Sequence, residues 1–354
     1  MKGLILSGGA GTRLRPLTHT RAKQLMPVAN KPILFYGIEA IRQAGITDIG
    51  IIVGDTADEI RAAVGDGSRW EAKITYIPQE APLGLAHAVL TAEPFLADDP
   101  FVMYLGDNIL ANGIAGLVTE FRQEQPAAQI LLAHVPHPEQ FGVAELEDGR
   151  VTRLQEKPSS PRSDLALVGV YMFRSSVFEA ARAIRPSARK ELEITDAIQY
   201  LIDKDYTVRP HIVDGWWKDT GKLDDILEAN RLVLDALNPR VDGRVDADSR
   251  VEGKVVIEKG AEIIASVIRG PAIIGSGSRI ERSYIGPFTS VQEDVHVRAS
   301  EVEHSIILSE SVILELGSRM EGSLVGHNVR IERSQSKPAA HRFMLGDNSQ
   351  VDVI

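Results

Sequence analysis

Short apolar runs alternate with helical patterns along the first two thirds of the chain. Aliphatic and β-branched runs at 3–7, 49–53, 74–77, 101–105, 130–134 and 169–173 predict strands. Between them, 33–44, 57–64 and 84–92 carry apolar residues at helical spacing and predict helices. That alternation predicts an α/β domain with a Rossmann-like, mostly parallel sheet, whose ligands bind beyond the carboxyl ends of the strands. A last helical pattern over 223–237 stops at Asn238-Pro239.

After Arg240 the pattern changes. An aliphatic residue recurs at Val251, Ile257, Ile263, Ile268, Ile274, Ile280, Ile285, Val291, Val297, Val302, Ile307 and Ile313, always five or six residues from the last, with glycines such as Gly260, Gly270 and Gly277 in the turns. An antiparallel sandwich alternates with period two and does not produce eleven such gaps in a row. A parallel β-helix does, because each inward side chain stacks on its counterpart one coil below. The pattern resembles the left-handed hexapeptide fold. Two domains are expected, 1–238 and 239–354.

The 354 residues suffice for two domains, and a composition 44% hydrophobic and 25% charged is that of a globular protein. Zero cysteines exclude disulfides, thiolate metal sites and cysteine nucleophiles. The opening apolar run is too short for a signal-peptide core, and a cytoplasmic protein is expected. A net charge of −10 argues against nucleic-acid and membrane partners. The charge is uneven, however. Lys2, Arg13, Arg15, Arg21, Lys23 and Lys31 all precede the first acid, Glu39, which suggests a local site for a small anion; a solvated charge cluster is the plain alternative.

The first predicted strand runs into Ser7-Gly8-Gly9-Ala10-Gly11-Thr12-Arg13. Glycines let the backbone approach a ligand and turn its N–H groups toward phosphate oxygens, and Arg13 and Lys23 add a fork and a point charge. The loop is neither a Walker A motif nor the dinucleotide GxGxxG. Asp107 follows a predicted strand, and Asp219 lies in Trp-Lys-Asp-Thr-Gly. Two such carboxylates suffice for magnesium beside phosphates, although Asp next to a turn is commonly a cap. Gln79 has a donor and an acceptor, as the edge of a pyrimidine requires.

GGAGTRLRPLT followed by KQLMPVANKP resembles the signature of the sugar-1-phosphate nucleotidylyltransferases. GDGSRW at 65–70, PQEAPLGLAHAV at 78–89, GDNI at 106–109, FGV at 141–143, EKP at 156–158, GVYMF at 169–173, ELEIT at 191–195 and WWKDTG at 216–221 extend the likeness to long-type glucose-1-phosphate thymidylyltransferases. The resemblance implies dTTP, or UTP, and glucose 1-phosphate as substrates, with Mg2+ as cofactor. It implies that Gly8, Gly9, Gly11, Thr12, Arg13, Gln79 and Gly84 bind the nucleotide. Asn108, Gly142, Glu156, Lys157, Tyr171, Arg189 and Thr195 would line the sugar-phosphate pocket. Arg13, Lys23, Asp107 and Lys157 would be catalytic, and Asp107 and Asp219 would hold the metal. A homo-oligomer is expected from the open faces of a β-helix. Two readings of other classes stand beside this one. His296, His304, His327 and His341 are candidate bases for an acetyltransferase in the β-helix, and a non-catalytic regulator would bind sugar nucleotides without turning them over.

Overall fold

The computed structural model describes every residue of the chain except 10, 20, 336, 338, 339 and 354. Its contacts form two compact units. Met1–Gly11, Arg21–Leu25 and Ile33–Asp219 make one, and Thr12–Thr20, Met26–Pro32 and Thr220–Ile354 make the other. The sequence pattern places a boundary at 238; the contacts divide earlier because the helix Leu223–Asp235 buries Leu234 against Ala29, Val256 and Ile273 of the second unit.

In the first unit, nine strands form one sheet among the described residues. Seven follow the order Arg150–Glu156, Gly142–Glu147, Leu165–Phe173, Phe101–Leu105, Lys2–Ser7, Asp48–Val53, Lys73–Pro78, and Ala128–His134 and Val208–Ile212 branch from Leu165–Phe173. Lys2–Ser7 runs parallel to Asp48–Val53 on one side and to Phe101–Leu105 on the other. The chain thus leaves its first strand toward one flank and later returns to the opposite one. Such a switch point opens a crevice at the carboxyl ends of the strands. Leu165–Phe173 runs antiparallel to Phe101–Leu105, so the sheet is Rossmann-like and parallel where that crevice lies. Alternate residues face opposite layers: Leu4, Leu6 and Met103 enter one core, and Ile5, Val102 and Tyr104 the other.

The second unit stacks short parallel strands into three sheets. Ile257 pairs with Ile274, Ile274 with Val291 and Val291 with Ile307. Ile263, Ile280, Val297 and Ile313 form a second column, and Ile268, Ile285 and Val302 a third. Every one of these side chains is buried. The stacked strands are consistent with the left-handed β-helix. No helix among the described residues is long and apolar enough to cross a membrane.

Candidate active site

Three strand ends bring the predicted nucleotide residues of the first unit together. Gly8 and Gly9 follow Lys2–Ser7, Gln79 follows Lys73–Pro78, and Asp107 follows Phe101–Leu105. Backbone bonds from Gln79 N–H to Val53 O (2.9 Å) and from Gly106 N–H to Leu6 O (3.0 Å) fix where the loops depart. A Cβ on Gly8 would stand 3.5 Å from Gln79 Oε1, so the glutamine carbonyl lies over the glycine turn. Gly84 caps the helix Leu85–Thr91 with φ +105°, and a side chain there would meet Leu192 O at 2.4 Å. Only glycine satisfies both constraints.

Lys23 stands on the single turn Lys23–Leu25, buried, with its ammonium paired to Asp107 Oδ2. Asp107 Oδ1 accepts from Asn108 Nδ2 (2.9 Å), and Asn108 Oδ1 accepts from Trp217 Nε1 (2.6 Å). Asn108–Leu110 pairs antiparallel with Trp217–Asp219, placing Asn108 opposite Asp219. Asp107, one residue before Asn108 in the turn that leads into this pair, is therefore brought close to the end of the strand that carries Asp219. Among the described residues no group of three or more His, Asp or Glu could hold a metal unaided. Two carboxylates that leave positions for phosphate and water do fit Mg2+, which seldom relies on protein ligands alone.

Apart from Asn108, which joins Asp107 and Trp217, the residues predicted for the sugar phosphate form a second cluster. Glu156 ends the strand Arg150–Glu156 opposite Gly142, where a Cβ would meet Thr195 Cγ2 at 2.7 Å and Leu167 Cδ1 at 2.8 Å. Thr195 Oγ1 donates to Glu156 Oε2 (3.4 Å), and Lys157 Nζ lies 3.8 Å from Oε1. Burial, and then the charge of Glu193, push the Glu156 carboxyl above its usual range, against the pull of Lys157, Arg189 and Thr195. Tyr171 is buried with its ring stacked on Phe173, 5.9 Å between centroids, and burial ahead of the Glu156 charge raises its phenol. Tyr171 stands as a largely buried wall beside Glu156.

Arg189, expected to reach the sugar phosphate, stands among carboxylates. Glu193 takes its Nε (3.1 Å) and Nη2 (2.8 Å), while Glu156 and Glu191 lie 3.2 and 3.4 Å from Nη2. Its charge is already shared by three carboxylates. Glu193, buried and also bonded to Ser187 Oγ (2.7 Å), lies within the ELEIT segment but carries no signal of its own in the sequence. Gln24 is a second such residue. It is buried near Gly9, and its Oε1 has no hydrogen-bond partner among the described residues, a cost that a bound donor would relieve.

Thr12 and Arg13 are exposed on the turn Thr12–Leu14, whose Leu14 is buried, and Gly11 precedes it with φ +61°. The β-helix histidines have separate neighbours: His296 sits in the strand His296–Arg298, His304 meets the Phe288 ring, His327 Nδ1 lies 2.6 Å from Ser309 Oγ, and His341 stacks on Phe343.

Comparison with known proteins accords with this geometry. The nucleotidyl transferase family model matches residues 2–236. The chain belongs to the nucleotidyl transferase family. Two full-length relatives extend the likeness beyond that match. A glucose-1-phosphate thymidylyltransferase from Streptomyces antibioticus is 58% identical over 100% of this chain and 99% of its own, and one from Streptomyces griseus is 56% identical over the same shares. A solved structure from Bacillus anthracis, described as a glucose-1-phosphate thymidylyltransferase in complex with sucrose, is 36% identical with a TM-score of 0.64 and covers 68% of this chain and 98% of that one. This nucleotidyl transferase is therefore an enzyme that carries a β-helix beyond the family's matched region.

Proposed function

We propose that the enzyme joins dTTP and α-D-glucose 1-phosphate to give dTDP-glucose and pyrophosphate. The observation that carries this reading is the joining of Lys23, Asp107, Asn108 and Asp219 at the strand ends beside Gly8 and Gln79. Full-length relatives named for this reaction support it.

A sugar phosphate has a second pKa near ~6 and is already a dianionic nucleophile at neutral pH, so no general base is needed. The difficulty is electrostatic, because two anions must meet. Glu156 and Thr195 would hold the sugar hydroxyls, and Lys157 its phosphate. Gln79 and the backbone at Gly84 would read the pyrimidine. The glycine turn with Arg13 would hold the β- and γ-phosphates, and Lys23 would reach toward the α-phosphate. Asp107 and Asp219 would hold Mg2+, which when bound would neutralise triphosphate charge. A phosphate oxygen of the sugar forms the new bond to the α-phosphorus as the bond to the β-phosphate breaks in line. Pyrophosphate leaves with that electron pair. Preorganised cations supply the catalysis, as in other phosphoryl transfers.

UTP is the second reading for the nucleotide. It presents the same edge to Gln79, and a methyl pocket discriminates by only about 1–3 kcal/mol. The same proposal places the reaction in the cytoplasm and has copies associating through the β-helix, a point for sedimentation analysis. A grid of nucleoside triphosphates against sugar 1-phosphates, read as pyrophosphate release, tests the activity. Release from dTTP and glucose 1-phosphate is expected, and none from any pyrimidine triphosphate would refute it.

A further inference from the structure

The pyrimidine reading of Gln79 leaves a physical problem. A carboxamide has one donating and one accepting end, and rotation by half a turn exchanges them. In one orientation it matches the N3–H and O4 of thymine or uracil. In the other it matches the N3 and the amino group of cytosine equally well. An unrestrained glutamine therefore cannot exclude cytosine.

In this structure the amide is restrained. Gln79 Nε2 lies 2.9 Å from His87 Nδ1. With the ring proton on Nε2, His87 Nδ1 is an acceptor and takes one of the two amide hydrogens. The other hydrogen and Oε1 then form a fixed edge beside Gly8. In that tautomer a flipped amide would set its carbonyl lone pairs against those of Nδ1, whereas a proton on Nδ1 would hold the amide the other way round. The restraint stands on a rigid element. His87 lies on the helix Leu85–Thr91, whose Ala86, Ala88 and Val89 are buried, and Ala86 N–H donates to Leu192 O (3.0 Å) beside the close packing at Gly84.

We propose that His87, carrying its proton on Nε2, is a positioning residue that locks the Gln79 amide and so makes the base site favour thymine or uracil over cytosine. The inference rests on the proposed pyrimidine site. It is tested with the full-length enzyme by measuring kcat/KM for dTTP and for dCTP with saturating glucose 1-phosphate. His87→Leu removes the acceptor and is expected to lower the dTTP-to-dCTP ratio about tenfold or more, mainly through better use of dCTP, the range one hydrogen bond controls. The KM for glucose 1-phosphate should not change. His87→Asp keeps an acceptor in place and should retain the ratio within about threefold. If His87→Leu does not fold, His87→Phe preserves the ring volume without the acceptor and gives the same readout. An unchanged ratio in a folded Leu or Phe variant, or an Asp variant that behaves like them, overturns the lock while leaving the pyrimidine site standing. A wild-type enzyme that uses neither dTTP nor UTP instead removes the site reading itself.

Discussion

The two units bury polar groups in opposite ways. In the first, the buried polar residues follow no repeat, and those at the strand ends reach far along the chain: Lys23 meets Asp107, 84 residues on, and Trp217 meets Asn108 across 109 residues. In the β-helix the same residue recurs at the same corner. Ser266 N–H donates to Ser249 Oγ (3.0 Å), Ser283 N–H to Ser266 Oγ (3.0 Å), Ser300 N–H to Ser283 Oγ (3.2 Å), and Leu316 N–H to Ser300 Oγ (3.1 Å). A repeated polar contact satisfies a repeated backbone need and stops there. An unrepeated cluster, with charges brought together at the cost of their hydration, has no such structural demand to answer and points to a ligand.

If that contrast holds, damage to the repeat should reach stability, and damage to the cluster should reach turnover. The largest effect is expected in the column of Ile263, Ile280 and Val297, where Ile280 is fully buried between its neighbours. Ile280→Ala should destabilise the β-helix by about 2–5 kcal/mol in urea unfolding, with kcat of the folded enzyme unchanged within about twofold. A lost kcat in the folded variant would mean that the repeat shapes the chemistry. Lys23→Ala should do the reverse. Turnover should fall about 10²-fold or more, equivalent to about 2.7 kcal/mol in the barrier, while the unfolding midpoint moves less than in Ile280→Ala. Undiminished turnover would take Lys23 out of the catalytic set.

The same contrast explains what the sequence could tell. The β-helix was legible almost residue by residue, since each aliphatic position from Ile257 to Ile313 stacks in register on its own equivalents one coil away, and all are buried. Val251 is half-buried because its strand pairs on one side only, with Val267–Arg269. In the first unit the strand ends were legible, and with them the places of Gly8, Gln79 and Asp107. Their partners were not. Whether Lys23 meets Asp107, or Arg189 turns to Glu193, depends on loop paths that hydrophobic periodicity does not encode. Resemblance supplied Glu156 and Gly142, yet the hairpin joining them is polar on one side and irregular in register between Val151 and Arg153, so it left no clear strand signal. His87 and Gln24 lay inside segments already singled out by their family likeness, without a feature to separate them from helix and loop filler.

A finer test of the repeat lies in its serine corner. Ser283→Ala removes the acceptor for Ser300 N–H and the hydroxyl that donates to Glu281 O (2.8 Å). One buried N–H left without a partner costs about 1–3 kcal/mol, and hydrogen exchange at the Ser300 amide should quicken while kcat stays constant. Loss of turnover in this variant would break the division between the two kinds of buried polarity.

The smallest expected effect comes from Glu156, where stability and function meet in one side chain. Its carboxyl titrates above the usual value because burial, and next Glu193, disfavour the charge. The folded chain therefore binds this proton more tightly than the unfolded chain does, and the ionised form costs stability at neutral pH. As pH falls through the raised pKa, that cost disappears. The melting temperature of the wild type minus that of Glu156→Gln should accordingly rise between pH 7 and pH 5, because the amide has no proton to gain. A flat or falling difference would mean that Lys157, Arg189 and Thr195 outweigh burial. At neutral pH the same variant should raise KM for glucose 1-phosphate and leave KM for dTTP alone, since Glu156 touches Thr195 and Arg189 and not the glycine turn. With that outcome, the ionised carboxylate would be retained for the sugar it is proposed to bind, in a place where the fold alone would favour a neutral group.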